Sequence, residues 1–256
     1  MSLSQRICLR TVIICCAATA CASPQQRKVP NSAGPPKIQD HFVLRPEFAT
    51  KKGVLIAGTA FAIEIEGQER LLIMTAVHLF GPSGGLSKQI PSSELPAYIS
   101  GVTLYDAFTE AELAKAGPMI DLPDASPWNQ KDTGDVAAFW AQKDSNIGRA
   151  KLAQSPPKAG DAIWLAASLI DGPERDQPLH RAIVRLSKKE GINFEYENPK
   201  LNLTATSGAP LLDSEGNVIG INVSVIDLGD KIFGTATPVG LIRTLLDKAL
   251  FRPKNR

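Results

Sequence analysis

Residues 203–212 read Leu203-Thr204-Ala205-Thr206-Ser207-Gly208-Ala209-Pro210-Leu211-Leu212. A serine among small residues, just before an apolar strand, is common in ordinary turns. This one also meets the local demands on a nucleophile. It has room for a carbonyl to approach, and backbone N–H groups nearby to hold an oxyanion. A serine nucleophile further needs a base, and the chain has three histidines, His41, His78 and His180.

No histidine follows Ser207, so a serine-before-histidine order is excluded. The pattern G-x-S-x-G is absent too, because Ala205 and Ala209 hold the glycine positions. Any histidine base lies upstream. His78 ends the apolar run Leu71–Val77 and precedes Phe80-Gly81-Pro82, a loop signal. It therefore sits at the end of a strand. Between His78 and Ser207 lies Asp132-Thr133-Gly134-Asp135-Val136-Ala137-Ala138-Phe139-Trp140. Asp135 opens an apolar strand, where a carboxylate can be buried against imidazole Nδ1 and set its tautomer. Asp132 is the alternative acid, and His180 the alternative base.

Most of the remaining chain consists of short apolar or alternating runs bounded by Gly, Pro, Asn and Asp. Val54–Ile65, a turn at Glu66–Glu69 and Leu71–Val77 read as a hairpin. Val136–Ala141, Ala162–Ala167, Ala182–Leu186, Asn193–Tyr196, Pro210–Leu212 and Val218–Val225 read as further strands. Helix is scarce. Glu110–Ala116 reads as a short helix, and Val239–Leu250 as a longer one started by Pro238. The chain is all-β, of the sandwich or barrel kind. The segment 81–129 reads as a lid or a partner surface.

The N-terminus carries different information. Arg6 and Arg10 precede the short apolar run Thr11–Ala20, an export signal too short to span a bilayer. Ala18-Thr19-Ala20-Cys21 resembles a bacterial lipobox, which implies lipidation at Cys21. Simple cleavage and an uncleaved anchor are the alternatives. Residues 1–20 are therefore expected to be a signal peptide. Residues 21–45, rich in proline, are expected to be a tether. All four cysteines (Cys8, Cys15, Cys16, Cys21) fall in this region. The body can form no disulfide framework, thiolate nucleophile or zinc finger. Three scattered histidines give no metal site, and no cofactor is expected. There are 28 basic against 26 acidic residues, and they balance at 26 against 26 without Arg6 and Arg10. No nucleic-acid partner is expected of so neutral a body.

Four segments resemble trypsin-like serine proteases, closest to the bacterial HtrA-like branch. Gly58-Thr59-Ala60-Phe61-Ala62-Ile63, followed by Leu72-Ile73-Met74-Thr75-Ala76-Val77-His78, is similar to the family's G-T/S-G-F and L-T-A-A-H pair. Asp135-Val136-Ala137 is similar to its D-I/L-A. Thr206–Leu212 with Asn217–Asn222 resembles G-N-S-G-G-P-L and V-I-G-I-N. Phe233–Pro238 resembles the G-F-A-I-P ending.

The resemblance implies two six-stranded β-barrels with the site between them. The first barrel is expected at 46–150, and the second, with the final helix, at 151–256. No PDZ domain is expected, since the chain ends at Arg256. The implied triad is His78, Asp135 and Ser207, with Ala205 and Ser207 supplying oxyanion N–H groups. Leu201, Asn222, Val223, Ser224 and Val225 are implied as the substrate pocket, one that suits a small or aliphatic residue. Thr206 stands where digestive relatives carry an aspartate that pairs with a new N-terminus, so that activation route is closed.

The expected function is a serine endopeptidase of the bacterial envelope, acting on protein or peptide substrates. A lipid on Cys21 would attach it to a membrane, and otherwise it would be periplasmic. Alanine at 205 and 209, where the family has glycine, motivates an alternative: a catalytically impaired domain serving as a binding or scaffold module. An unrelated β-rich envelope lipoprotein is the third reading.

Overall fold

A computed structural model of the protein describes residues 34–122, 124–128, 134–143 and 145–251. The signal peptide, Cys21, most of the tether and Asp132 lie outside the described residues.

The first half forms β1 (Leu44–Thr50), β2 (Gly53–Ile56), β3 (Phe61–Ile63), β4 (Leu72–Thr75), α1 (Leu95–Tyr98), β5 (Ile99–Asp106), β6 (Glu112–Met119), β7 (Ala137–Ala141) and β8 (Arg149–Ala150). Their order in the sheet is β2-β1-β5-β6-β7-β4-β3-β8. Leu44 and Ala60 exchange both backbone hydrogen bonds, at 3.0 and 2.9 Å. That exchange brings β1 round against the residue before β3, so six strands close on themselves with β2 and β8 flanking. Phe48 fills the centre, edge-on to Phe80 at 4.9 Å and tilted against Phe139 at 5.8 Å. Truncating such a ring to alanine costs about 3–5 kcal/mol.

The second half forms β9 (Ala162–Ala166), β10 (Leu179–Ser187), β11 (Ile192–Tyr196), β12 (Pro210–Leu212), β13 (Val218–Asp227) and β14 (Ile232–Pro238). They close as a six-stranded barrel in the order β10-β11-β14-β13-β12-β9. The last element is α2 (Val239–Leu250). Its buried residues Val239, Ile242, Leu245 and Leu246 follow helical spacing. They belong to the larger core cluster, which unites the interior of the first barrel with Leu212, Val218, Ile221 and Val223 of the second. Arg243 donates to the carbonyls of Leu152 and Ala153 between the barrels, and Lys248 pairs with Asp124 at 2.6 Å.

The double barrel expected from the sequence is therefore present, with four local corrections. Glu110–Ala116 is not a helix. Glu, Leu, Ala and Lys favour helix locally, but pairing with β5 (Val102↔Ala116, Leu104↔Ala114) overrides that preference. The run Val54–Ile65 is two strands, because Gly58 turns with φ +66° and β2 and β3 pair with different neighbours. Much of 81–129 is barrel wall, namely β5 and β6, rather than lid. Packed chain also starts before residue 46: Phe42, Val43 and Leu44 are buried, so the spacer gives way to core there.

Candidate active site

His78 lies one turn past β4. The four residues of β4 are all buried, and the chain then winds into a short 3₁₀ turn, Val77–Phe80, also buried throughout. A tight turn of this kind leaves carbonyls without partners. The Gln89 side-chain amide reaches back to them, donating to Val77 O at 3.4 Å and Phe80 O at 3.2 Å.

Asp135 lies two residues before β7 and is fully buried. Its Oδ2 is 2.7 Å from His78 Nδ1, and its Oδ1 accepts the His78 backbone N–H at 2.9 Å. Trp128 N–H also donates to Oδ2, at 2.8 Å. Three donors thus satisfy a buried carboxylate, as burial of a charge requires. An acceptor-only carboxylate fixes the proton on Nδ1, which leaves the Nε2 lone pair available as a base.

Ser207 sits in the turn between Leu203 and β12. Thr206, beside it, is buried. Its hydroxyl donates to Leu203 O at 2.8 Å and accepts from Asn222 Nδ2 at 3.1 Å. Three successive carbonyls of the turn are held from behind. Ala205 O accepts Thr59 Oγ1 at 3.0 Å, Thr206 O accepts Asn222 Nδ2 at 3.2 Å, and Ser207 O accepts Thr59 N–H at 2.8 Å. The N–H groups of Thr206, Gly208 and Ala209 are bonded to Leu203 O, Asn222 O and Thr206 O. Among the described residues, the N–H groups of Ala205 and Ser207 are left without a partner. A trans peptide points its C=O and N–H in opposite directions. Holding Thr206 O from behind therefore turns the Ser207 N–H outward.

The turn abuts β4. A Cβ added to Gly208 would lie 2.3 Å from Thr75 Oγ1 and 3.1 Å from Ala76 N, two residues before His78. Gly208 has φ +86°, so only glycine suits both its conformation and this close approach. Ser207 Oγ makes no hydrogen bond with His78 or any other described residue. Such bonds are often long before substrate binds.

No protein-family model matches the chain, and neither does any curated protein sequence. Solved structures do match. The active form of the Rv3671c protease from M. tuberculosis superposes with TM-score 0.52 at 18% identity, over 82% of this chain and 81% of that one. The serine endoprotease from Yersinia pestis gives 0.53 at 14%, over 83% and 64%. The HtrA-type protease AlgW, solved with a tripeptide, gives 0.52 at 18%, over 82% and 61%. The chain spans less than two thirds of the latter two. The fold is that of the trypsin-like serine proteases.

Within that trypsin-like fold, the two alanines are accommodated differently. Ala205 adopts φ +65°, the left-handed conformation glycine would take freely, at a strain of about 1–2 kcal/mol. Ala209 is fully buried and keeps its backbone bonds to Thr206 O and Asn222 N. Of the expected pocket residues, Leu201 and Val225 line a cavity of about 530 Å³ beside the turn, with Lys200, Asp227 and Ile232. Asn222, Val223 and Ser224 do not line it. The Asn222 side chain lies under the turn, bonded to Thr206, because the carbonyls there need a buried donor.

His180 is buried on β10, and its Nε2 contacts Ala167 O at 3.1 Å. Burial pushes its pKa below the usual histidine value, although Ala167 O and Glu174 oppose the shift. Its ring is thus held in the second barrel. Thr59, Gln89, Asn222 and Trp128 all hold the site, and the sequence reading gave none of them that role. Thr59 stood in the Gly58-Thr59-Ala60-Phe61 segment and was the most findable. A backbone donor such as Trp128 N–H leaves no trace in residue type.

Proposed function

We propose that this protein is a serine endopeptidase of a bacterial cell envelope. The observation that carries the reading is the buried His78–Asp135 pair, packed beside a serine turn whose carbonyls at 205, 206 and 207 are held from behind. In this reading His78 Nε2 takes the proton from Ser207 Oγ as Oγ attacks the scissile carbonyl carbon. Negative charge develops on the carbonyl oxygen, and the N–H groups of Ala205 and Ser207 receive it. The C–N bond then breaks, and His78 returns the proton to the departing amine. Asp135 orients the ring and stabilises the imidazolium without taking the proton itself. Water, deprotonated by His78, frees the acyl group and restores Ser207.

Leu201 and Val225 in the neighbouring cavity favour a small or aliphatic side chain before the cut bond. The internally bonded Thr206 hydroxyl supports a turn that forms without a freshly cut N-terminus. The export pattern ending at Cys21 supports an envelope location with a lipid anchor. No helix among the described residues is long and apolar enough to cross a membrane.

A fluorophosphonate probe tests the central claim. The folded wild type should be labelled and Ser207→Ala should not. A folded wild type that stays unlabelled would instead favour a binding module. A peptide-library profile dominated by cleavage after Arg or Lys would sink the specificity.

A further inference from the structure

Thr59 and Ala205 come from different barrels and meet at the serine turn. Ala205 holds φ +65°, a conformation that alanine keeps only where its surroundings enforce it. The enforcing contacts come from one loop. Thr59 Oγ1 donates to Ala205 O at 3.0 Å, and Thr59 N–H donates to Ser207 O at 2.8 Å. Thr75 Oγ1 donates to Thr59 O at 2.8 Å and steadies that loop from β4. Gly58 allows the close approach: a Cβ there would lie 2.6 Å from Ser207 O. Thr59 is buried, so its hydroxyl has no water to fall back on.

We propose that Thr59 is a positioning residue whose hydroxyl offsets the strain of alanine at 205. By gripping the Ala205 carbonyl it keeps the left-handed turn, and with it the outward N–H groups that receive the oxyanion. The proposal rests on the serine-hydrolase reading and adds its own claim: the hydroxyl matters because residue 205 is not glycine. Glycine takes this conformation unaided. The backbone bond from Thr59 N–H to Ser207 O survives any change of side chain, so the hydroxyl is separable.

The test is a double-mutant cycle of Thr59→Val, Ala205→Gly and both together, with Thr59→Ser as the variant that retains the hydroxyl. Three quantities are measured: the fluorophosphonate inactivation rate, kcat and KM on a peptide substrate, and Tm. Thr59→Val should slow inactivation and lower kcat about five- to tenfold, one neutral hydrogen bond's worth. KM should stay within about twofold, because the oxyanion exists only in the transition state. Thr59→Ser should retain most of the wild-type rate. Adding Ala205→Gly to Thr59→Val should restore most of the loss, a departure from additivity between touching residues. Tm should show the same coupling.

Equal effects of Thr59→Val with alanine or glycine at 205 would overturn the proposal. If neither wild type nor Ala205→Gly is labelled, the hydrolase reading fails. The Tm cycle would then still decide whether hydroxyl and strain are coupled.

Discussion

The first barrel holds two histidine–aspartate contacts of almost equal length. Nδ1 lies 2.8 Å from Asp106 Oδ2 in His41, and 2.7 Å from Asp135 Oδ2 in His78. The use of the other carboxylate oxygen separates them. Asp106 Oδ1 accepts the N–H groups of Phe108 and Thr109, so it caps its own turn between β5 and β6. His41 is a partly exposed strap laid across that turn, with its backbone at φ +57°. Asp135 Oδ1 accepts the N–H of His78 itself, so one carboxylate grips the ring and the main chain of the same residue. A short Nδ1–carboxylate distance does not identify a working pair. In the proposed reading the difference lies in rigid control of the histidine, because proton transfer depends on where Nε2 is held.

The largest expected effect breaks the two pairs apart directly. Asp135→Asn should lower kcat by about 10⁴-fold, since it favours the wrong tautomer of His78. Asp106→Asn should leave kcat within about twofold, because its histidine faces no nucleophile. Equal losses in a peptidase assay would void the comparison.

A smaller effect concerns the third donor to Asp135. Trp128→Pro deletes the N–H that Asp135 Oδ2 accepts. A buried carboxylate deprived of one of its three donors holds the imidazole less firmly. The rate at neutral pH should fall about tenfold. Trp128→Phe keeps the N–H and should retain the wild-type rate. An unchanged rate in the folded proline variant would show that Asp135 does not need this donor.

The Asp106 pair should appear in stability instead. Burial alone would raise the Asp106 pKa, but hydrogen bonds from His41 and from the Thr109 and Phe108 amides outweigh it and hold the carboxyl below its usual value. A lowered folded pKa means that the unfolded chain takes the proton first as pH falls. This contribution is present above about pH 4 and disappears below it. Wild type should melt about 2–4 °C above Asp106→Asn at pH 7, and the gap should narrow steadily as the pH falls below about 4. A gap that persists in acid would mean that shape, not charge, carries the contact.

The smallest effect belongs to His180, whose ring contacts a backbone carbonyl, Ala167 O, rather than a carboxylate. Burial lowers its folded pKa, so the unfolded chain binds the proton first as pH drops through about 6.5. Stability should thus rise with pH across that range, and His180→Gln should flatten the rise by about 1 °C in Tm.

His78, Asp135 and Ser207 could all be picked out from sequence because each sits where a periodic apolar run meets a turn, and such junctions are written locally. The helix Val239–Leu250 was plain for the same reason. Its docking site was not, since an apolar stripe says that it packs but not against what. Glu112–Met119 misled because helix-forming residues there are overruled by a neighbouring strand. Thr59 and Ala205 are 146 residues apart, and no local pattern links them.

The sequence by itself determined the all-β class, the triad candidates and their order, and the confinement of cysteine to the first 21 residues. These follow from residue type, periodicity and absence, all readable along a line. Only the tertiary structure decided that Ala205 takes the conformation of a glycine, that Asn222 braces the turn instead of lining a pocket, and that two similar His–Asp contacts use their second carboxylate oxygens on different partners. Those outcomes depend on which carbonyl faces which donor across the barrel interface. That is set when distant strands close and buried polar groups must find partners.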